Sequence, residues 1–348
     1  MTVVTKLSVQ HIRSHDSFVA QLSPNVTVIT GKNGSGKTSL IEALYVALQG
    51  SSFKGADGDM LRGGESWWRI DVAFEDDNKR TVSYDSEREA ARKKFVIDDH
   101  VAYRLQPKHK YPVVLFEPDD LRLLQGSPTR RRQFIDRFIS QLDPLYGVSL
   151  RKYERALKQR NNLLKKQYTE ADELFVWNVA LSEYGAYIIE KRIAFVEQIN
   201  TKITDAYNDI AGVHDDISVH YSHTFIGDIK QKLLAELDHA SARDAIIGST
   251  SVGPHRHDIL FLFNNSPAQS SASRGEVRTI VLALKFLEVD IIEQIVGQKP
   301  LILLDDVFSE LDERRQRALS EHVRAHQIII TTTHVLAGSK NATHIKLT

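Results

Sequence analysis

Residues 31–38 have the types and the spacing that a phosphate-binding loop requires, because they fit the pattern G-x-x-x-x-G-K-[ST]. Glycines let the backbone wrap closely around an anion, so that successive N–H groups point inward. Lys37 is expected to reach the outer phosphates, and the Thr38 hydroxyl is expected to hold a magnesium ion. The binding residues predicted from this run are Gly31, Lys32, Asn33, Gly34, Ser35, Gly36, Lys37, Thr38 and Ser39.

The segments on both sides of this loop are of the kind that the pattern needs. Residues 26–30 read as a buried strand that enters the loop, and residues 39–48 carry apolar side chains at helical spacing. The new helix would present its positive end to the same anion. A glycine-rich turn with a chance lysine is the alternative, and the strand and helix argue against it. The sequence therefore predicts binding of a nucleoside triphosphate.

A second acidic motif lies near the end of the chain. Apolar residues 301–304 run directly into Asp305 and Asp306. Ligand sites of open α/β sheets form at the carboxyl ends of strands, so Asp305 is predicted to hold magnesium opposite Thr38. Asp306 is the natural general base for a water that attacks the terminal phosphate. The strand could simply end in acidic turn residues, but the presence of the phosphate loop favours the functional interpretation.

Between these motifs, a serine- and glycine-containing segment precedes a predicted helix at residues 277–288. Ser273 can cap that helix, and Gly275 leaves its first turn open to an anion. The pattern alone is weak, because serine and glycine precede many helices. Its position about 30 residues ahead of the acidic strand end gives it weight.

Composition limits the function classes. The 348 residues contain 45 Lys and Arg and 45 Asp and Glu, so any attraction to nucleic acid must come from local basic patches. There is no cysteine, which excludes disulfides, cysteine-ligated zinc, iron–sulfur clusters and thiol catalysis. No signal pattern and no membrane-spanning run are visible, so we expect a cytoplasmic protein.

The order of patterns predicts an α/β fold. Strand-like and helix-like segments alternate at both ends of the chain, whereas residues 130–211 are helical and strongly charged. Continuous apolar strands between helices indicate a mixed, largely parallel sheet flanked by helices. We expect residues 1–115 and 250–348 to form the nucleotide-binding head. Residues 116–249 would form an inserted helical lobe that is too short for a long coiled coil.

The order of the motifs resembles that of ABC-type ATPase heads, which are related to the SMC-like ATPases. Within that class the chain is similar to the RecF family of bacterial recombination-repair proteins. The segments that carry the resemblance are residues 116–121, 126–132, 153–161, 252–258 and 303–312. Together with the phosphate loop these segments are distributed from the N-terminal part of the chain almost to its end, and the absence of a long coiled coil also fits this family.

The resemblance implies a head-to-tail homodimer that forms on binding Mg²⁺ and ATP. Ser273 and Gly275 of one subunit would act on the γ-phosphate held by the other. His334 matches the histidine that touches the γ-phosphate in ABC heads, with an ordinary loop histidine as the alternative. Residues 12–15 resemble the opening segment of coiled-coil break-repair ATPases, which suggests that Arg13 also approaches the nucleotide.

Asp306 departs from the ABC pattern, which usually has glutamate at this position, although RecF proteins resemble this chain there. Because aspartate is one methylene shorter, we expect slow hydrolysis that acts as a switch, in a weak DNA-stimulated ATPase. ABC heads also have a magnesium-sensing glutamine after the strand at residues 113–115. Phe116 and Glu117 occupy that place here, so the role has no assigned residue.

RecF resemblance also implies binding to single-stranded, duplex and gapped DNA, with RecR and RecO as partners in loading the recombinase. No helix-turn-helix or zinc-finger signature suggests base reading, so contacts would be to phosphates. Each basic cluster could equally be a solvated helix face. The candidate contacts are Arg92, Lys93, Lys94, Arg130, Arg131, Arg132, Arg151, Lys152, Lys158, Arg160, Lys165 and Lys166.

Three other functions remain as alternatives. A head that regulates a nuclease would need a second acidic metal cluster, and an SMC-like DNA clamp would need long coiled-coil arms. A transporter subunit would be expected to carry the missing glutamine. His255 and His257 would share one face of an extended segment, but a metal site there lacks a clear third ligand.

Overall fold

The computed structural model describes residues 3–90, 92–166, 171–333 and 342–347. The chain divides into two compact units, the first formed by Met1–Leu121 with Glu288–Thr348 and the second by Arg122–Leu287. The division into a functional head and lobe at residues 115 and 250 remains a prediction.

Fourteen strands occur within the described residues. In chain order they are β1 (Val4–Ile12), β2 (His15–Gln21), β3 (Val26–Thr30), β4 (Trp67–Phe74), β5 (Lys79–Asp85), β6 (Lys93–Ile97), β7 (His100–Ala102), β8 (Val113–Phe116), β9 (Ile217–Ser222), β10 (Asp258–Phe263), β11 (Ser266–Pro267), β12 (Leu301–Asp305), β13 (Ile328–Thr332) and β14 (Thr343–Lys346).

The same residues form ten α-helices and four short 3-10 helices, the latter at Asp57–Met60, Pro107–His109, Pro118–Arg122 and Val307–Glu310. The α-helices are α1 (Lys37–Gln49), α2 (Pro128–Leu142), α3 (Pro144–Leu164), α4 (Ala171–Asn200), α5 (Ile203–Ala211), α6 (Ile229–His239), α7 (Ser241–Ile247), α8 (Ala268–Ser271), α9 (Arg274–Val296) and α10 (Glu313–His322). The described helices include none that is both long and apolar enough to cross a bilayer.

The first unit contains a parallel sheet whose strand order is β14-β3-β13-β12-β8. Every residue of β12 and β13 is buried, which fits the apolar run with which each strand begins. Because all five strands run the same way, the carboxyl ends of β3 and β12 lie at one edge of the sheet. Only β13 separates them, so the phosphate loop and the acidic pair open onto the same edge.

A second, antiparallel sheet of the first unit has the order β2-β1-β4-β5-β6-β7. Its buried faces share one core cluster with α1 and the parallel sheet, with Trp68, Leu7 and Leu303 among the members. Strands β1 and β2 form one antiparallel hairpin of this sheet, and β4 and β5 form another. Helix α1 lies in this core almost entirely, since 12 of its 13 residues are buried. The predicted fold class, a mixed sheet flanked by helices, is confirmed.

The second unit combines helices with a three-stranded sheet of order β11-β10-β9. Its longest described helix, α4, has 30 residues. At 1.5 Å per residue this is about 45 Å, much shorter than the arm of a long coiled coil.

Buried arginines bind the helices of the second unit together. Arg160 of α3 is completely buried, and its guanidinium donates to Asn178, Asp244 and Thr250 at 2.7–2.8 Å. Arg131 of α2 forms a two-pronged ion pair with Asp258, at 2.9 and 2.8 Å. The suggestion that these two arginines contact DNA is wrong, because both guanidinium groups are enclosed and paired within the fold.

His255 and His257 are also part of this polar interior rather than a metal site. The ring of His255 shares a 2.7 Å hydrogen bond with the Tyr153 hydroxyl, and its Nε2 lies 3.1 Å from the carbonyl of Thr250. The ring of His257 shares a 2.7 Å hydrogen bond with the Tyr221 hydroxyl. Burial lowers the pKa of His255 to about 4 and the pKa of His257 to about 3.

Because burial lowers the pKa of both His255 and His257, we expect the protein to lose stability in mild acid. A histidine in an unfolded chain has a pKa of about 6.5. Below that pH the unfolded chain therefore binds protons at His255 and His257 that the folded chain does not bind. The stabilisation is complete above about pH 6.5 and is lost as the pH falls towards the lowered folded-state values. We expect the free energy of unfolding to fall by on the order of 1 kcal/mol per histidine between pH 7 and pH 5.

Urea unfolding at pH 7, 6 and 5 measures this effect. His257→Gln should flatten the pH dependence, whereas His220→Gln, at an exposed position of β9, should leave it unchanged. A wild-type pH dependence that persists in full in His257→Gln would contradict the prediction.

Candidate phosphate-binding site

The loop between β3 and α1 has the backbone of an anion cradle. Gly34 and Gly36 have φ angles of 83° and 88°, in the left-handed region that glycine adopts without strain. A Cβ atom at Gly36 would also lie 2.2 Å from His15 Nε2 and 2.3 Å from Ser14 Oγ, so a larger residue would have to displace both side chains. The Ser35 hydroxyl is buried and has no hydrogen-bond partner in the described part of the chain, which leaves it available to a ligand.

Lys37, the first residue of α1, folds over the loop. Its side chain is buried, and Nζ donates to the carbonyls of Gly31 and Lys32 at 2.9 and 3.2 Å. The same Nζ lies 3.6 Å from a carboxylate oxygen of Asp306. A cation held by carbonyls at the mouth of a glycine loop is a suitable partner for a phosphate oxygen, which can replace the weaker carbonyl contacts.

The Thr38 hydroxyl and the Asp305 carboxylate meet across the sheet edge. Thr38 Oγ1 donates to Asp305 Oδ1 at 2.9 Å, and Thr331 Oγ1, from β13 between them, donates to the same oxygen at 2.8 Å. Hydroxyl and carboxylate oxygens are the hard ligands that Mg²⁺ prefers. The two groups are close enough to share one ion, so the residues present fit a magnesium site.

Asp306 has an unusual backbone conformation that aims its carboxylate at Lys37. Its φ angle is 52°, and its N–H donates to both the carbonyl and the hydroxyl oxygen of Thr331 at 3.1 Å. Burial raises the pKa of the Asp306 carboxyl, while the charge of Lys37 opposes that rise. A carboxylate with a raised pKa beside a phosphate site is suited to accept a proton from an attacking water.

Arg13 lies in the turn between β1 and β2, also in the first unit. Its Nη2 forms an ion pair with the buried Glu42 of α1 at 2.8 Å. The neighbouring His15 lies against the phosphate loop, with Nε2 3.1 Å from the Gly36 carbonyl. The structure therefore places the residues that follow Arg13 against the phosphate loop, and a contact of Arg13 with the nucleotide remains a prediction.

The remaining predicted residues belong to the second unit or lie outside the described part of the chain. Ser273 is exposed in the second unit and caps α9, since its hydroxyl accepts from the Glu276 N–H at 3.3 Å and its N–H donates to the Glu276 carboxylate at 2.6 Å. Gly275 lies in the first turn of that helix. His334 lies outside the described residues.

Two residues of the site were not identified from the sequence. Thr331 anchors both aspartates, and Glu42 holds Arg13. A polar residue at the end of a continuously apolar strand, and an acidic residue on the buried face of the first helix, were the available signals.

Known proteins with similar sequences match most of this chain. Residues 6–218 match the family model described as an AAA domain. A DNA replication and repair protein RecF from Agathobacter rectalis is 33% identical over 351 residues, covering 97% of this chain and 94% of that protein. The RecF protein of Lachnoclostridium phytofermentans is 31% identical over 340 residues, covering 95% of this chain and 92% of that protein.

Solved structures of RecF proteins are also similar to this chain. The chain is similar to the recombination mediator protein RecF-ATPrS in the RecFOR pathway, with a TM-score of 0.88, 27% identity and coverage of 100% of this chain and 96% of that one. The Smc head domain of Pyrococcus furiosus has a TM-score of 0.50 at 17% identity, covering 96% of this chain and 90% of that one, which indicates a shared fold only.

Proposed function

Since the chain belongs to the RecF family of DNA replication and repair proteins, we propose that it binds Mg²⁺ and ATP at the phosphate loop and uses the bound nucleotide to control how long it stays on DNA. The observation that carries this proposal is the meeting of Thr38 with Asp305 and of Lys37 with Asp306. It unites a cation, a hydroxyl and two carboxylates beside a glycine cradle. A related RecF structure is described with ATP, which supports the same ligand.

Thr38 and Asp305 would hold the magnesium ion, which supplies positive charge to the phosphates when it is bound. Lys37 would exchange its carbonyl contacts for outer phosphate oxygens. Asp306, released from Lys37, would accept the proton of the attacking water. Because its short side chain must reach that water from a fixed left-handed turn, hydrolysis should be slow and should act as a timer.

We propose that ATP drives head-to-tail dimerisation. The exposed N-terminus of α9, capped by Ser273 with Gly275 in its first turn, can meet the γ-phosphate held by a second copy. His334 of the same chain as the nucleotide is proposed as a further γ-phosphate contact. Loss of the γ-phosphate removes the shared ligand, so hydrolysis would release the dimer.

Light scattering tests this proposal. Wild-type protein should dimerise with Mg²⁺ and ATP and remain monomeric with ADP, and Asp306→Asn should prolong the dimer several-fold because hydrolysis is blocked. Ser273→Arg should abolish the dimer while ATP binding persists. Ser271→Arg, at an exposed serine of the same segment, is the matched control. A wild-type protein that stays monomeric in ATP, or dimers of Ser273→Arg as stable as those of the control, would exclude the mechanism.

The DNA contacts that we propose lie on the exposed side of α3 and just beyond its end. This basic face presents six cations to solvent, while Arg160 and Tyr153 point from the same helix into the interior. Such a surface favours phosphate contacts without sequence preference. The residues of the basic face are Arg151, Lys152, Arg155, Lys158, Lys165 and Lys166. Arg155 was not among the candidates suggested by the sequence.

Reversal of charge on this face measures its role. Arg155→Glu combined with Lys158→Glu should weaken binding to gapped DNA at least tenfold in the presence of ATP. It should also reduce the slope of log affinity against log salt by about 2, because each lost phosphate contact removes about 0.9. Lys202→Glu combined with Lys230→Glu, both at exposed positions of the same unit, is the control. Equal affinities of the two double variants in anisotropy titrations would contradict the assignment.

RecR and RecO are proposed as partners that, with this protein, help to load the recombinase. The support is that a similar solved RecF structure is described within the RecFOR pathway.

A further inference from the structure

Glu42 is a buried carboxylate for which the proposed mechanism has no use. It lies on α1, five residues after Lys37, and its side chain is fully buried. A buried carboxylate is costly unless it is paired. Its partner is Arg13, whose Nη2 lies 3.0 Å from one carboxylate oxygen and 2.8 Å from the other. This ion pair ties the β1–β2 turn to the helix that begins at the phosphate loop.

The turn that carries Arg13 is held in a conformation that needs support. The φ angle of Arg13 is 47°, in the left-handed region, which is unfavourable for a residue with a Cβ atom. Its backbone N–H donates to the Met60 carbonyl at 3.0 Å, and its side chain is fixed by Glu42. The next two residues lie against Gly36. The fold therefore maintains a strained arginine beside the phosphate loop.

The position of Glu42 on α1 indicates which end of a nucleotide Arg13 would meet. Lys37 would contact the outer phosphates of the nucleotide. Ser39, at the start of the helix, belongs to the end that receives the inner phosphates, and a residue three positions later lies on the same helix face. Arg13 is thus expected at the α-phosphate and the nucleoside, away from the γ-phosphate.

Arg13 also has donors left for a ligand. Its Nε is buried and makes no hydrogen bond in the described part of the chain. A ligand would therefore meet the exposed part of the guanidinium, since 31% of the side chain is open to solvent. Only Nη2 is engaged by Glu42. A guanidinium with one group paired to a carboxylate and another group free can bind a phosphate or ribose oxygen in a defined direction.

A second segment depends on the same carboxylate. The Ser52 hydroxyl donates to Glu42 Oε1, and its oxygen accepts from the N–H groups of Lys54 and Gly55 at 2.9 and 3.2 Å. Glu42 therefore fixes both the Arg13 turn and residues 52–55, which follow the end of α1.

We propose that Glu42 is a positioning residue for nucleotide recognition: it holds Arg13 so that the guanidinium contacts the α-phosphate and ribose, and through Ser52 it fixes residues 52–55 at the same end of the ligand. The inference rests on the proposed ATP binding. Its consequence is selectivity, because Arg13 would favour a nucleoside triphosphate over a bare polyphosphate chain, which lacks the nucleoside.

Competition binding separates these two ligands. ATP and inorganic tripolyphosphate, each with Mg²⁺, displace a fluorescent ATP analogue from the full-length protein. Arg13→Ala should weaken the binding of ATP at least tenfold and the binding of tripolyphosphate less than twofold. Arg69→Ala, at an exposed arginine that is also paired with an aspartate, is the matched control and should change neither. Equal losses for both ligands in Arg13→Ala would overturn the proposal.

Glu42→Gln tests the positioning role itself. It should weaken the binding of ATP more than the binding of tripolyphosphate. The double variant with Arg13→Ala should lose clearly less ATP affinity than the two single losses added together, because most of the effect of Glu42 passes through Arg13. Additive losses would overturn the role. If Glu42→Gln does not fold, Arg13→Ala still decides the outcome. Failure of the wild-type protein to bind ATP contradicts the proposed function, whereas wild-type binding that Arg13→Ala leaves unchanged contradicts this inference alone.

Discussion

The contact between the Thr38 hydroxyl and the Asp305 carboxylate is the interaction on which the site depends. It joins residues that are 267 positions apart in the sequence. The contact requires β3 and β12 to run in parallel with β13 between them, so that both strands end at one edge. Thr331 completes the link, because its hydroxyl binds Asp305 and its carbonyl and hydroxyl oxygens bind the N–H of Asp306. A shift of any of these strands by one residue would turn the site residues towards the core.

This arrangement places the opposite charges of Lys37 and Asp306 side by side where a phosphate is expected to bind. Lys37 is shared by two loop carbonyls and Asp306, and Asp306 retains a raised pKa because it is partly buried. A bound triphosphate would compete for Lys37 and leave Asp306 free to act on water. Binding and preparation for hydrolysis would thus be one event, which suits a protein that uses ATP as a switch.

Much of this site could be predicted from the sequence because its parts are local. The glycine loop, the strand before it and the helix after it are consecutive, and Asp305 follows its own apolar strand. Position along parallel strands then brings the two motifs together. The predicted alternation of strands and helices, the parallel sheet and the short helical lobe correspond to what the structure shows. His334 could not be assessed, since it lies outside the described residues.

The predictions that depended on distant partners were less successful. The clusters of basic residues on α2 and α3 suggested DNA contacts. Arg131 points inward instead, because it pairs with Asp258, 127 residues away. Arg160 points inward because it pairs with Asp244, 84 residues away. The same helix α3 presents the basic face outward, and sequence spacing alone did not separate the two sides. Glu42 was missed for a related reason. Its role depends on an ion pair with Arg13, which comes from another segment of the chain.

Calorimetric titration of ATP into wild-type protein and Asp305→Asn, each with Mg²⁺ and with EDTA, tests most directly whether the two distant parts of the chain form one magnesium site. If Thr38 and Asp305 hold one magnesium ion, the wild-type protein should bind ATP at least tenfold more tightly with Mg²⁺ than with EDTA. Asp305→Asn should lose most of that difference. Equal dependence on Mg²⁺ in both proteins would contradict a site built from these two distant parts of the chain.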